Sequence, residues 1–210
     1  MLERVQVDVP LVPLPETILK VVPAPYLPPL TEEKYTLVLD LDETLIHYME
    51  IGNEGRLFVR PYCQNFLQEM SKYYEVVIFT AALQDYADWA LDQIDTGKWI
   101  THRLYRQHTM PSGTVFLKDL SRLGRDLTKT IIADNVAENF SLQNDNGIFV
   151  KTWFDDPNDV MLESLAPLLR EIVVRKVKDV RAALRNYRDQ FLRQIIQGVQ
   201  NPLSNLSLKR

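Results

Sequence analysis

Four short apolar runs, each ending at or beside a polar side chain, constrain how this chain can fold. Residues 35–41 (YTLVLDL), 75–80 (EVVIFT), 130–133 (TIIA) and 147–150 (GIFV) have the length and aliphatic content of buried strands. Helical spacing separates them, in 65–73 (Phe66, Leu67, Met70) and in 87–94. Strand, helix, strand, helix, strand predicts an α/β fold with a parallel sheet and right-handed crossovers. A short strand at 57–59 precedes the turn at Arg60-Pro61. Runs at 103–105 and 115–117 flank Pro111-Ser112-Gly113, which predicts a hairpin between them.

The flanks read differently. Seven of the twelve prolines fall in the first 30 residues, ending in PAPYLPPL. That density predicts an extended lead-in over 1–34, either a loose tail or a segment lying against the domain. Beyond the α/β domain, expected over 35–178, Asp156-Pro157 reads as an N-cap with proline at the first helical position. It should open a helix through 160–174, kinked or divided near Pro167. The stripe Val173, Val177, Val180, Leu184, Tyr187 and Phe191 describes an amphipathic helix that docks on the domain or meets a protein partner. Its basic part, 179–197, is followed by a tail over 198–210.

Composition excludes several classes. The net charge is −4, yet residues 170–193 hold eight Arg/Lys against three Asp/Glu. An acidic body with one basic helix does not suit direct nucleic-acid binding. No apolar stretch reaches the ~18–20 residues of a membrane span. The N-terminus lacks the layout of a signal or transit peptide. The single cysteine, Cys63, excludes a disulfide framework and a cysteine-rich metal site. A reducing compartment, nucleus or cytoplasm, is the expectation.

Parallel sheets bind ligands beyond the carboxyl ends of their strands. The first strand delivers Asp40 and Asp42, with Thr44 beyond; the second delivers Thr80; the third delivers Asp134 and Asn135. Lys118 follows the expected hairpin. Singly, these residues also read as caps, turn formers or surface groups. Together they form a set of carboxylates that would repel one another without a cation. Hard oxygen ligands without histidine or cysteine favour Mg²⁺ over zinc. Mg²⁺, carboxylates and a lysine suit phosphoryl transfer, in which a carboxylate can act as nucleophile and a second as acid and base.

The motif D-L-D-E-T, Asp40 to Thr44, resembles the D-x-D-x-T signature of haloacid-dehalogenase superfamily phosphatases. Seven blocks (DLDETLIH, VRPYCQNFL, YEVVIFTAALQDYAD, RLYRQH, KDLSRLGRDL, ADN and WFDDPND) resemble, in order, those of the small CTD-phosphatase, NLI-interacting-factor-like family. The resemblance covers about residues 35–185. It implies a Rossmann-like parallel sheet with a small β-hairpin insertion. It also implies serine/threonine phosphoprotein phosphatase activity through an aspartyl-phosphate, on a substrate resembling the RNA polymerase II C-terminal domain. Asp40 would be the nucleophile and a Mg²⁺ ligand, and Asp42 the acid/base that also gives its carbonyl to Mg²⁺. Thr80 and Lys118 would meet the phosphoryl oxygens. Asn135 would ligate Mg²⁺ with Asp134 beside it. Thr44, Leu83, Tyr86 and Arg106 would make up the substrate side.

Two further features bear on substrate. Thirty-five residues separate Thr44 from Thr80, and 37 separate Thr80 from Lys118, too few for a large cap domain. That favours a phosphorylated protein over a small metabolite. Glu50 stands where family members acting on the polymerase tail have an aromatic, and Val136-Ala137 where they have Ser-Pro. The alternative is a binding or scaffold subunit, similar to the mitochondrial inner-membrane translocase member of this fold.

Overall fold

The computed structural model describes residues 22–51 and 54–197. The first part of the expected lead-in, 1–21, and the tail 198–210 lie outside these residues. The central sheet contains β1 (Tyr35–Leu39), β4 (Tyr74–Phe79), β5 (His102–Leu104), β8 (Thr130–Asp134) and β9 (Gly147–Phe149). Its order is β5-β4-β1-β8-β9, and every pairing is parallel. β1 is therefore central, and its apolar run reflects the two layers packed on its opposite faces, with Leu37 and Leu39 in one and Val38 in the other.

Alternation along the strands divides the core in two. Leu37, Leu39, Val76, Ile78, Ile131 and Ala133 face a layer of helices: α1 (Cys63–Met70), α2 (Gln84–Ile94) and α3 (Met161–Val174). Val38, Val77, Phe79 and Ile132 face the other way, where short 3-10 turns stand in for helices. Leu120, Leu123 and Phe140 cover this second face, together with Leu27 from the N-terminal segment. Leu27 is buried, and the Tyr26 and Leu27 N–H groups donate to the Arg122 and Leu123 carbonyls. Gly124 lets this segment approach: a Cβ there would stand 2.7 Å from Pro25 Cβ, and its φ of +74° suits glycine. The proline-rich stretch, from residue 22 onward, is thus a strap laid on the domain.

Several expectations need correction. The strand expected at 57–59 is one arm of an antiparallel hairpin, β2 (Ile46–Ile51) with β3 (Glu54–Val59), inserted after β1. Residues 103–105 do not pair with 115–117. His102–Leu104 joins β4 at the sheet edge, where Leu104 finds burial, and the second hairpin is β6 (Met110–Ser112) with β7 (Val115–Leu117). Asp156 does not cap α3; its carboxylate accepts the Asn158 N–H in a turn, and Asp159 accepts the Met161 N–H where α3 begins. α3 runs through Pro167 without dividing.

The apolar stripe belongs to two helices rather than one. It breaks at residues 175–179, where Lys176 takes a φ of +51°, and resumes in α4 (Val180–Ile196). Val180, Leu184 and Tyr187 are buried on the domain; the side chain of Phe191 lies outside what is described. The basic side chains serve docking too: Arg185 and Arg188 both pair with Asp145. No helix among the described residues is long and apolar enough to cross a membrane.

Candidate active site

The Asp40 N–H donates to the Ala133 carbonyl at 3.0 Å, carrying the β1–β8 ladder one residue past β1. Asp40 consequently stands at the carboxyl edge of the central strand, only 6% exposed. The chain then turns: Thr44 and Leu45 N–H groups donate back to Leu41, whose side chain is buried with that of Leu45. Glu43 takes the left-handed conformation the turn requires (φ 55°), and its carbonyl accepts the Trp153 N–H. Asp42 is brought to the mouth of the same edge.

Lys118 follows β7 and is 1% exposed. Its Nζ donates to Asp40 Oδ1 and Asp134 Oδ2, both at 2.6 Å. Burial pushes the Asp40 carboxyl up to about 7, against the pull of Lys118 and with Asp134 adding to the rise. Burial also disfavours the Lys118 ammonium, but the two carboxylates outweigh it and the lysine pKa is raised. One ammonium is shared by two acids, so neither is fully compensated. Asp42 is raised above the usual carboxylate range, chiefly by burial, while Tyr86 and Lys118 oppose the shift.

The remaining residues divide into those at the cleft and those behind it. Asp40, Asp42, Glu43, Thr80, Phe116, Asn135 and Val136 are among the residues lining a cavity of about 220 Å³. A wider cavity of about 440 Å³ adjoins it, lined by Asp42, Glu43, Ala81, Ala82, Leu83, Tyr86 and Arg106. The expected trio Leu83, Tyr86 and Arg106 is thus brought together beside Asp42. Arg106 lies over the Phe116 ring at 5.1 Å and donates through Nε to the Ala81 carbonyl; among the described residues no carboxylate pairs with it.

Thr44 and Asp134 lie behind the cleft. Thr44 is fully buried and donates to Asn135 Oδ1 at 3.3 Å, which makes it a buttress rather than a substrate contact. Asp134 is fully buried; its oxygens accept from Lys118, Asn139 and the Val136 N–H, so none is left to ligate a metal. Among the described residues no three His, Cys, Asp or Glu side chains converge as a metal site. The side-chain oxygens at the cleft include those of Asp40, Asp42, Thr80 and Asn135, and no histidine or cysteine is among its lining residues. This hard, sparse set fits Mg²⁺, which keeps several waters, and does not fit zinc. Charge agrees: with all three carboxyls ionised, Asp40, Asp42 and Asp134 against Lys118 would leave an excess of two negative charges.

Sequence reading missed Arg60. It is 1% exposed and forks onto Asp159 (2.8 and 2.9 Å), while also donating to the carbonyls of Thr44 and Lys151 at 3.0 Å. It thereby ties the Asp40–Thr44 turn to the segment carrying Thr152, which accepts from Asn135 Nδ2. No local sequence signal marks an arginine for such burial.

The sequence pattern of the NLI interacting factor-like phosphatase family matches residues 35–181. A probable C-terminal domain small phosphatase of Dictyostelium discoideum is 42% identical over 165 residues, covering 71% of this chain and 53% of that protein. CTD small phosphatase-like protein 3 of Caenorhabditis elegans is 38% identical, covering 76% and 67%. Human carboxy-terminal domain RNA polymerase II polypeptide A small phosphatase 2 is 39% identical, covering 70% and 61%. The chain therefore spans half to two thirds of these relatives' own lengths. The structure of Fcp1, an essential RNA polymerase II CTD phosphatase, superposes with a TM-score of 0.58 at 18% identity, covering 80% of this chain and 67% of that one. At that identity the likeness concerns the fold, a parallel sheet flanked by helices. With the match running through every strand of that sheet, the chain belongs to the NLI interacting factor-like phosphatase family.

Proposed function

We propose that this chain is a Mg²⁺-dependent phosphatase of phosphoserine or phosphothreonine in proteins, working through a phosphorylated Asp40. The observation that carries the reading is a buried carboxylate at the end of the central strand, 2.6 Å from a buried lysine and opening on a cleft. Asp40, Asn135 and the Asp42 carbonyl would hold Mg²⁺, which when bound supplies positive charge beside the phosphoryl oxygens.

In the first step an Asp40 oxygen attacks phosphorus and forms the acyl phosphate as the ester P–O bond breaks. Asp42 passes its proton to the departing alkoxide, and burial raises its pKa from the ordinary carboxyl value. In the second step Asp42 takes a proton from water, the hydroxide attacks phosphorus, and phosphate leaves with Asp40 restored. Lys118 holds Asp40 in place and offsets charge throughout, and the Thr80 hydroxyl lines the same cavity.

The open, two-part cleft suits a phosphorylated side chain on a protein. The names of the relatives make an RNA polymerase II C-terminal-domain phosphopeptide the first substrate to try and the nucleus, or else the cytoplasm, the place of action. Glu50 and Val136 alter the surroundings, so the preferred sequence need not be that of the relatives. Purified protein with Mg²⁺ should hydrolyse an aryl phosphate and a phosphoserine peptide, lose both activities on chelation, and lose them in Asp40→Asn. Absence of turnover on either substrate would leave the scaffold reading in possession.

A further inference from the structure

Asp42 is gripped by a residue for which the proposed reaction has no direct use. The Tyr86 hydroxyl donates to Asp42 Oδ1 at 2.6 Å, whereas Oδ2 has the Thr80 hydroxyl at 3.5 Å. The first is a short bond; the second is at the limit of a hydrogen bond. A phenol donating to Oδ1 makes that oxygen the poorer proton acceptor. Proton exchange therefore falls to Oδ2, on the Thr80 side of the carboxylate.

Tyr86 is itself confined. Its ring lies edge-on to Tyr48 (5.7 Å between centroids, 69°) and tilted against Trp89 (6.1 Å, 39°), and Tyr48 meets Trp89 edge-on at 5.8 Å. Tyr86 and Trp89 are three residues apart on α2, hence on one face. Tyr48 comes from β2 of the inserted hairpin. Its position depends on a glycine in the opposite arm: a Cβ on Gly55 would stand 2.0 Å from Tyr48 Oη and 2.7 Å from Cζ. The hairpin thus reaches Asp42 through two aromatic side chains.

We propose that the β2–β3 hairpin positions the acid/base carboxylate: Tyr48 locks Tyr86, and Tyr86 turns Asp42 so that Oδ2 carries the proton passed to the leaving alcohol. The proposal rests on the reading of Asp42 as the acid and base of a phosphatase. It makes Tyr86 a positioning residue acting through Asp42, in addition to a wall of the wider cavity. Substrate lying in that cavity touches the same side chain that orients the acid.

Leaving-group dependence tests this. p-Nitrophenolate departs with little need of a proton, while phenolate needs one. kcat/KM for p-nitrophenyl phosphate and phenyl phosphate is measured with Mg²⁺ for the wild type, Tyr86→Phe and Gly55→Val, each checked by thermal melting. Tyr86→Phe keeps the ring and removes the bond. It is expected to lower kcat/KM for phenyl phosphate about tenfold more than for p-nitrophenyl phosphate, a part of the usual general-acid effect. Gly55→Val, which displaces the Tyr48 ring, should widen the ratio in the same direction by less.

An equal fall on both substrates would mean general loss of the site and overturns the proposal. So does an unchanged ratio with a raised KM for a phosphopeptide alone, since Tyr86 would then be only a pocket wall. A wild-type ratio in Gly55→Val beside a widened one in Tyr86→Phe removes the hairpin from the account. A wild type inert on both aryl substrates is a separate outcome: it defeats the phosphatase reading, and the positioning proposal falls with it.

Discussion

Arg60 donates to the main-chain carbonyl of Thr44 at 3.0 Å from a guanidinium that is itself shut away from solvent. The contact joins the end of the inserted hairpin to the turn that carries Asp42. Asp159 supplies the counter-charge, and burial, which alone would push its carboxyl up, is outweighed by the bonds to Arg60, so that its pKa is lowered.

Arg60→Met leaves Asp159 buried without its cation and two carbonyls without donors. Breaking a buried pair on one side costs about 3–5 kcal/mol. Chemical denaturation should show a loss of that size, with kcat reduced although Arg60 does not line the cleft. Removing both partners in Arg60→Met/Asp159→Leu should cost less than the sum of the single changes. Strict additivity would mean that the pair does not act as a unit.

A second buried cluster lies at the opposite end of the sheet and governs acid stability. Arg125 forks onto Glu75 with two bonds of 2.7 Å, and Thr36 donates to the same carboxylate at 3.0 Å. Burial raises the Glu75 pKa, but these partners prevail and the net shift is downward. A carboxyl depressed in the folded state stabilises above its unfolded value, about 4.3, and loses that contribution as pH falls through the folded value. Melting temperature should fall steeply below about pH 4. Glu75→Gln should be less stable at neutral pH yet show a flatter acid limb. Parallel acid limbs for wild type and variant would count against this assignment.

The strap contributes to the core as well as covering it. Leu27 is 4% exposed and packs in the thin second layer with Val38, Phe79 and Leu123. Leu27→Ala should destabilise by about 2–4 kcal/mol, read from denaturant midpoints. A chain begun at residue 35 should melt lower still, since the Tyr26 ring against Phe79 and His108 goes with it. Equal stability of the shortened chain would show that the 3-10 layer covers this face unaided.

Much of the fold was legible because burial on both faces leaves a continuous apolar run, and β1, β4 and β8 each have one, while β9 is apolar although Phe149 at the sheet edge is exposed. What escaped had a weaker local signature. Ile46–Ile51 pairs with Glu54–Val59, and the cue in the sequence was the dipeptide Gly52-Asn53. His102–Leu104 offers three residues, too few to show a period. Asp156-Pro157 has the better capping sequence, yet it is the Asp159 carboxylate, held by Arg60, that accepts the Met161 N–H at the start of α3.

The sequence by itself determined the parallel sheet, its main core strands, and which side chains gather at the carboxyl edge, because strand ends follow from hydrophobic periodicity. Only the tertiary structure decided which of those side chains face the cleft. Asp134 and Thr44 turned inward to hold Lys118 and Asn135, while Arg60, Tyr48 and Leu27 acquired roles that no neighbouring residue announces. The physical reason is that burial and hydrogen bonding of polar groups depend on partners far away in the chain: Lys118 meets Asp40 across 78 residues, and Arg60 meets Asp159 across 99.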